Sequence, residues 1–472
     1  MATENEEKDF FIVAAIDLGT TFSGYAYSFR HDYKSNPLTI HSNFWKGSYE
    51  GKIPTALLLT KNGTFHSFGF DAEDNYNRLT ESDDHKGWRF FKKFKMELLK
   101  EGLNKTTVVK DEDGNPFLAI DVLRHSICFF KDHLLDVLKN KSPDVKKDDI
   151  KWVVTVPAIW TESAKQFMRI AAKKAGIDDG NLSLALEPEA ASIFCKLIPI
   201  ERMTETCGRK DILVSFQPGY TYLIADLGGG TTDITVHRVR SDYNLEEIHR
   251  PSGGPWGGAK VDECFLSFLS ELFGATNIED FRKKFKNDFI ELMRNFENKK
   301  GEIGVVTKPN DIPRKFNLPL PQTLKDILQS KNIKSFEDAL DRSQFKNKHK
   351  VTVKFGKLIL EKGVTEGFFE EIVTEIGNYI EGIFRDPRCS DIKMILLVGG
   401  FADSPLVRHS IRQRFPKVRT IVPHEAGRSV LKGAVVFGQN PNIVQERVCP
   451  LTYGTCFHVP LLKGHTRKRK KS

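Results

Sequence analysis

One short pattern occurs twice in the chain and constrains it more than any other feature. Near the N-terminus, Ile16-Asp-Leu-Gly-Thr-Thr-Phe-Ser23 carries an apolar-Asp-Leu-Gly-x-x-Thr core, and Ala225-Asp-Leu-Gly-Gly-Gly-Thr-Thr-Asp233 repeats it. In each copy an apolar run leads in (Phe11 to Ile16; Tyr222 to Ala225) and a second strand-like run leads out (Gly24 to Phe29; Ile234 to Val239). Each therefore reads as a β-hairpin whose glycines permit turn geometry. Glycine also removes the Cβ that would keep a phosphate from the backbone N–H groups. The Asp ending each first strand can face the same phosphates and hold a Mg2+ shell, since Mg2+ prefers carboxylate and water oxygens. An acid before a Gly-rich turn is ordinary turn chemistry when it occurs once. Two copies, each opening one half of the chain, point to two related halves closing on a nucleotide.

At 472 residues the chain can bury a sizeable core in two to four domains. No apolar run approaches the ~20 residues of a membrane span. The acidic, polar stretch Met1 to Asp9 does not read as a secretory signal. The seven cysteines are scattered without a CxxC pair, which suits a reducing compartment. A cytoplasmic location is the expectation. Net charge is +9, but the last ten residues carry six Lys or Arg and leave +3 for the body. Nucleic-acid binding is therefore not implied. The tail Arg467-Lys-Arg-Lys-Lys471 reads as a solvated terminus, a nuclear-import signal or an anionic-surface contact.

Residues 1–9 are expected to be disordered. Ile53 to Leu59 reads as a strand, and Asp71 to Lys100 as a charged helical stretch. Ile120 to Leu138 is an amphipathic helix. Ile150 to Val156 is a buried strand stopped by Pro157, which cannot donate to a ladder. A helix from Glu162 to Ala175, a strand from Leu182 to Leu186 and a helix opening at Glu187-Pro-Glu follow. Residues 201–219 read as an exposed insertion. In the second half, Gly253-Gly-Pro-Trp-Gly-Gly258 leads into a helix, Asp280 to Glu302 is helical, and Lys308 to Lys350 reads as irregular. Beyond these lie a strand-like Val351 to Glu361, a long helix from Val364, a strand Lys393 to Val398, and helices Pro405 to Phe415 and Glu425 to Gly438. Strand and helix units in both halves argue for an α/β fold.

Taken together, Ile16 to Ser23, Val153-Val-Thr-Val-Pro-Ala158, Ala225 to Asp233, Leu397-Val-Gly-Gly400 and Glu425 to Gly438 resemble, in order, the ATPase domain of the seventy-kilodalton heat-shock (Hsp70) family. That domain has an actin-like fold of two duplicated ribonuclease-H-like lobes. Phe91-Lys-Lys-Phe-Lys-Met96 and Leu292 to Lys300 look more like the divergent twelve-A and twelve-B branch. The resemblance implies a first lobe over 10–222 with an inserted subdomain at about 44–118. It implies a second lobe over 223–438 with an insertion at about 259–360, its final helix, about 425–438, packing back toward the first. It also implies ATP or ADP as ligand with Mg2+, slow hydrolysis, and lobe closure that follows nucleotide state.

In that frame Gly19, Thr20 and Thr21 face Gly228, Gly229 and Gly230 across the β- and γ-phosphates. Asp17 and Asp226 would hold Mg2+ through water, and Thr231 would stand beside the γ-phosphate. Glu187 matches a carboxylate near the metal's water shell, and equally an ordinary helix start. Asp233 would assist in placing the attacking water. Lys93, with Lys95 close behind, fits a lysine the family brings to the γ-phosphate; a solvated helix face explains both as well. Gly258, Gly399 and Gly400 would let the nucleoside approach the backbone, and Glu297 and Lys300 would border ribose and adenine; an exposed salt-bridging helix face explains those two as well.

Several positions depart from the family pattern. Asp403 stands where the family has an arginine over the adenine, so base stacking is lost there. Lys165 replaces an arginine, without its bidentate fork, and Ala259 replaces a glutamate. Only 34 residues follow Gly438, and a β-sandwich needs ~100, so a peptide clamp and its linker are not expected. Exchange factors that grip the second lobe, or other proteins of the chaperone network, are the expected protein partners. Three function classes stay open: a chaperone-like ATPase, a nucleotide-binding adaptor without turnover, and, less supported, a small-molecule kinase of the same superfamily.

Overall fold

The structure is a computed structural model and describes residues 10–48, 51–99, 102–199, 203–204, 216–304, 315–346 and 350–449. The first repeated motif forms strands β1 (Ile12–Leu18) and β2 (Phe22–Phe29), an antiparallel hairpin with Asp17 opposite Gly24. Strand β3 (Ile150–Val156) runs parallel to β1, and β4 (Leu182–Leu186) parallel to β3. The sheet order is β4-β3-β1-β2, with His41–Ser42 and Ile53–Pro54 both pairing β2. All seven residues of β1 are buried, as expected for a strand covered on both faces.

The second motif repeats this plan. Strand β5 (Thr221–Leu227) pairs antiparallel with β6 (Thr232–Val239), placing Asp226 opposite Asp233. Strand β7 (Leu245–Gly254) continues beyond β6. On the other side β8 (Ile392–Val398) and β9 (Arg419–Pro423) stack parallel to β5. The order β9-β8-β5-β6 therefore reproduces β4-β3-β1-β2. Two further strands cap this sheet, Met203–Thr204 beside β9 and Val444–Glu446 parallel to β7.

Two helices lie between the sheets. Helix α1 (Glu187–Leu197) has Pro188 in its first turn, where the missing N–H costs nothing. Helix α2 (Ser429–Gln439) follows a short 3-10 turn at Ala426–Arg428. Ala190, Leu431, Ala434 and Val435 pack with Val13 and Val153 of the first sheet. Ala191, Phe194, Val430 and Val436 pack with Ile224 and Leu396 of the second. The helices cross at a glycine: a Cβ on Gly433 would lie 1.7 Å from the Ala190 carbonyl oxygen. Helix α2 also rests on the first sheet, where a Cβ on Gly438 would meet Val13 at 2.4 Å.

Four stretches differ from the sequence reading. Residues 71–100 split into a helix Phe70–Glu81, a strand Arg89–Lys92 and a 3-10 turn Phe94–Leu99. The strand forms because its pairing with Ala56–Leu59 buries Phe90 and Phe91 together, which a helical pattern does not anticipate. The helical stretch 280–302 breaks at Phe285 into Ala275–Lys284 and α3 (Lys286–Lys300). Within 308–350, read as irregular, a strand Phe316–Pro319 and helices Gln322–Ser330 and Phe336–Arg342 are present. Leu324, Ile327 and Leu328 supply a buried face among exposed polar residues. Met203, placed in an exposed insertion, is buried at the sheet edge; the flanking 201–202 and 205–215, like 1–9 and 450–472, lie outside the described residues.

Gly433→Val is expected to destabilise the protein by about 1–3 kcal/mol or more, because the backbone of α1 cannot move aside as a side chain can. Gly382, in the helix Lys362–Phe384, has nothing within 4 Å of an added Cβ. Gly382→Ala is expected to gain roughly 0.5–1 kcal/mol from helix propensity. Thermal melting of the two variants beside the parent checks both signs.

Candidate functional site

The turns of the two hairpins meet face to face. A Cβ on Gly229 would lie 2.2 Å from the Thr21 hydroxyl, and one on Gly230 would lie 2.5 Å from that of Thr20 and 2.3 Å from the Met96 sulfur. A Cβ on Gly257 would meet the Gly229–Gly230 backbone, 2.5 Å from the Gly230 carbonyl carbon. Gly399, with φ of +85°, passes so near Asp226 that a Cβ would stand 2.4 Å from its carboxylate. Here glycine is required by space and, at Gly399, by backbone geometry as well.

Around this contact lies a cavity of about 770 Å³, within the range that holds a cofactor-sized ligand. Asp17, Gly19, Thr20 and Thr21 border it from the first lobe, and Asp226, Gly228, Gly229, Gly230 and Thr231 from the second. Lys93, Glu187, Gly258, Glu297, Lys300, Gly399, Gly400 and Asp403 also line it. Asp233 stands behind the wall, where its carboxylate accepts from the Ile159 N–H at 2.9 Å and so holds the turn after Pro157.

Local hydrogen bonds refine the sequence reading. The Gly228 N–H, assigned to a phosphate, donates to the Thr231 carbonyl at 2.9 Å and closes its own turn. Those of Gly258 and Gly399 donate to Gly228 and Ala426 carbonyls at 3.1 and 3.0 Å. Lys93, in a left-handed conformation (φ 53°), reaches Asp262 at 3.2 Å. Lys300 meets the other oxygen of Asp262 at 2.5 Å and the Gly258 carbonyl at 2.9 Å. Lys95 is the lysine that enters the acid cluster: its ammonium contacts Glu187 at 2.6 Å and lies 5.4 Å from the centre of the Trp160 ring. Asp403 pairs with Arg408, whose Nε also donates to the Ala402 carbonyl at 2.7 Å.

Lys52 has no counterpart in the sequence reading. Its ammonium donates to Asp17 Oδ2 at 2.7 Å and to the Gly427 carbonyl at 2.7 Å. Asp17 Oδ1 accepts from Thr155 at 2.6 Å. A lysine ahead of a two-residue strand carries no local signature; only the fold brings it to Asp17.

Burial and like charge set the electrostatics. Burial pushes the Glu187 carboxyl up to about 7, with Asp17 and Asp233 adding to the shift and Lys95 opposing it. Asp226 is raised well above the carboxylate range by burial and by the neighbouring Glu187, Asp233 and Asp17. Asp233 is raised by burial against the Ile159 N–H and other donors. Asp17 alone goes down: burial raises it, but Lys52 and Lys95 outweigh that.

The sequence profile of the Hsp70 protein family matches residues 89–465. The chain belongs to the Hsp70 family. Among Hsp70 relatives, human heat shock 70 kDa protein 12B is 34% identical over 95% of this chain and 71% of its own length. Mouse heat shock 70 kDa protein 12A is likewise 34% identical, over 95% of this chain and 72% of its own. The chaperone protein dnaK of Cyanidium caldarium is 26% identical over 64% of this chain and 42% of its own length. The duplicated lobes are thus the actin-like fold of the Hsp70 ATPase domain, and the family implies nucleotide binding.

The raised Glu187 pKa has a sign that can be tested. Between its ordinary 4.5 and about 7 the folded protein keeps a proton that the unfolded chain releases. That contribution to stability is present at low pH and lost as pH rises through about 7. Glu187→Gln is expected to flatten the fall in Tm of the ligand-free protein across that window. Melting curves at several pH values for both proteins check it.

Proposed function

We propose that this chain binds ATP in the inter-lobe cavity, hydrolyses it slowly to ADP and phosphate, and couples lobe closure to the nucleotide. The observation that carries the reading is the contact of two glycine turns, one from each lobe, above a cluster of buried acids and lysines. Phosphoryl transfer asks a protein chiefly for positioning and charge stabilisation. Thr20, Thr21 and Thr231 bring hydroxyls to the phosphates, and the turn glycines keep the approach open. Lys95 supplies positive charge beside Glu187. Glu187, with a pKa near neutrality, is suited to take the proton of an attacking water. Asp233 acts one step back, by fixing the Ala158–Ile159 backbone after Pro157. Exchange factors that grip the second lobe are the partners this reading favours.

Mg2+ held directly by the protein does not fit these donors. Both Asp17 oxygens already have partners, Lys52 on one and Thr155 on the other, and direct ligation there would have to displace them. The steps above therefore involve only the chain's own groups. The engagement of Asp17 also favours a second reading, a nucleotide-binding adaptor without turnover.

Closure has a physical basis in ion pairs across the mouth of the cavity. Glu73, buried in the first lobe, takes Lys92 at 2.8 Å and, from α3 of the second lobe, Arg294 at 3.2 Å. Asn287 donates to Glu81 at 3.0 Å, and Lys93 meets Asp262. Arg294 also lies over the Phe70 ring, 5.6 Å from its centre.

Single-turnover hydrolysis and equilibrium binding of ATP, with Asp17→Asn and Asp226→Asn alongside, decide between the readings. Slow turnover reduced about tenfold or more in both variants supports the ATPase. Binding without turnover supports the adaptor, and no binding removes both. Separately, Arg294→Ala is expected to speed release of a fluorescent ADP several-fold, because it cuts the bridge to Glu73. The difference from the parent should shrink at high salt, since the pair is partly exposed; stopped-flow release at two ionic strengths reads it.

A further inference from the structure

The inference concerns Lys52 and rests on the reading of the cavity as a nucleotide site. Lys52 is fixed by its surroundings. The next residues, Ile53–Pro54, pair with Ser23 and Phe22 of β2, and its own carbonyl accepts from the Ser48 hydroxyl at 2.6 Å. Its side chain is 15% exposed and that of Asp17 6%, so the 2.7 Å pair is largely removed from water. The ammonium charge is also felt at Asp226, the matching acid of the second hairpin. Lys52 thus stands on the side where both strand-end acids face the cavity, where the family resemblance places a hydrated cation. Its second bond, to the Gly427 carbonyl, holds it to the turn that opens α2. For a metal ion to use Asp17 Oδ2, it would first have to displace a short, partly buried ion pair.

Nucleotide phosphates bring several negative charges into a space already bounded by Asp17, Glu187 and Asp226. Binding needs compensating positive charge inside the cavity. Lys93 and Lys300 are paired with Asp262 and Arg294 with Glu73, rather than with Asp17, Glu187 or Asp226. Lys52 and Lys95 are the lysines that contact the inner acids. We propose that Lys52 is a built-in cation of the cleft, supplying beside Asp17 the charge a nucleoside di- or triphosphate requires, so that binding does not depend on a divalent ion. Lys52 also carries that charge between the lobes, since it touches Asp17 of the first hairpin and the turn leading into α2.

The test is equilibrium binding of ADP and ATP to the full chain, in excess Mg2+ and in excess EDTA, for the parent, Lys52→Met and Lys52→Arg. The parent is expected to change affinity by less than about threefold when Mg2+ is removed. Lys52→Met is expected to lose at least about tenfold in EDTA, roughly 1.4 kcal/mol, and to recover with Mg2+. Lys52→Arg keeps the charge and should follow the parent; melting curves confirm that the variants fold. A parent whose affinity collapses in EDTA, a Lys52→Met that binds equally in EDTA, or one that Mg2+ does not rescue overturns the proposal. A parent that binds neither nucleotide in either buffer removes the nucleotide reading itself, a distinct result.

Discussion

The architecture depends on glycines whose missing side chain lets neighbouring elements approach closely. Gly229 and Gly230 touch Thr21 and Thr20 across the lobes, and Gly433 touches Ala190 where the central helices cross. The first contact sets the floor of the cavity and the second sets the angle between the sheets that carry it. A methyl group at the first would push into the Thr21, Thr20 and Met96 side chains, and one at Gly433 would require the Ala190 backbone itself to move. Apolar packing then fills in around these points. Ala190 and Ala434 keep the first sheet close, while Phe194, Val430 and Val436 fill the wider gap to the second.

The cavity is an uneasy electrostatic arrangement by construction. Buried carboxylates repel one another and lose hydration, which is why Glu187, Asp226 and Asp233 all hold protons more tightly than usual. Asp17 escapes because lysines stand close. Such a cluster costs stability in the free protein, and strongly shifted acids gathered in a cleft are the usual signature of a functional site. The mouth is built differently. There Arg294–Glu73 and Lys93–Asp262 span the two lobes, each a partly exposed cation held on a buried carboxylate.

Much of the fold was legible because its central strands are apolar runs ended by Pro or Gly. Ile150–Val156 and Leu182–Leu186 fall where Pro157 and Glu187-Pro188 say they should. The paired hairpins declared the duplication outright. The inserted pieces were harder, since Leu324, Ile327 and Leu328 sit among polar and charged residues and gain their meaning only from the helices they pack against, chiefly Ala275–Lys284. In the site, residues next to the glycine turns could be placed from the motif, but charge partners could not. Lys52 reaches Asp17 across 35 positions and Lys95 reaches Glu187 across 92. Asp403 stands in the cavity wall as the motif suggests, yet its charge is engaged by Arg408 one helical turn on, a pairing that a single position cannot reveal.

The strand Val444–Glu446 gives the chain beyond the last helix a specific role. It covers the outer edge of β7, an edge that would otherwise offer unpaired backbone groups to another protein. Immediately afterwards Arg447 grips Glu189 of α1 with both arms of its guanidinium, at 2.8 and 2.9 Å, and the Val448 N–H donates to Glu247. Glu189 is two residues from Glu187, at the same helix start. The exit of the chain is therefore leashed to the helix that presents an acid to the cavity. A pull on the segment that follows Cys449 would be transmitted to that helix start rather than dissipated at a loose end.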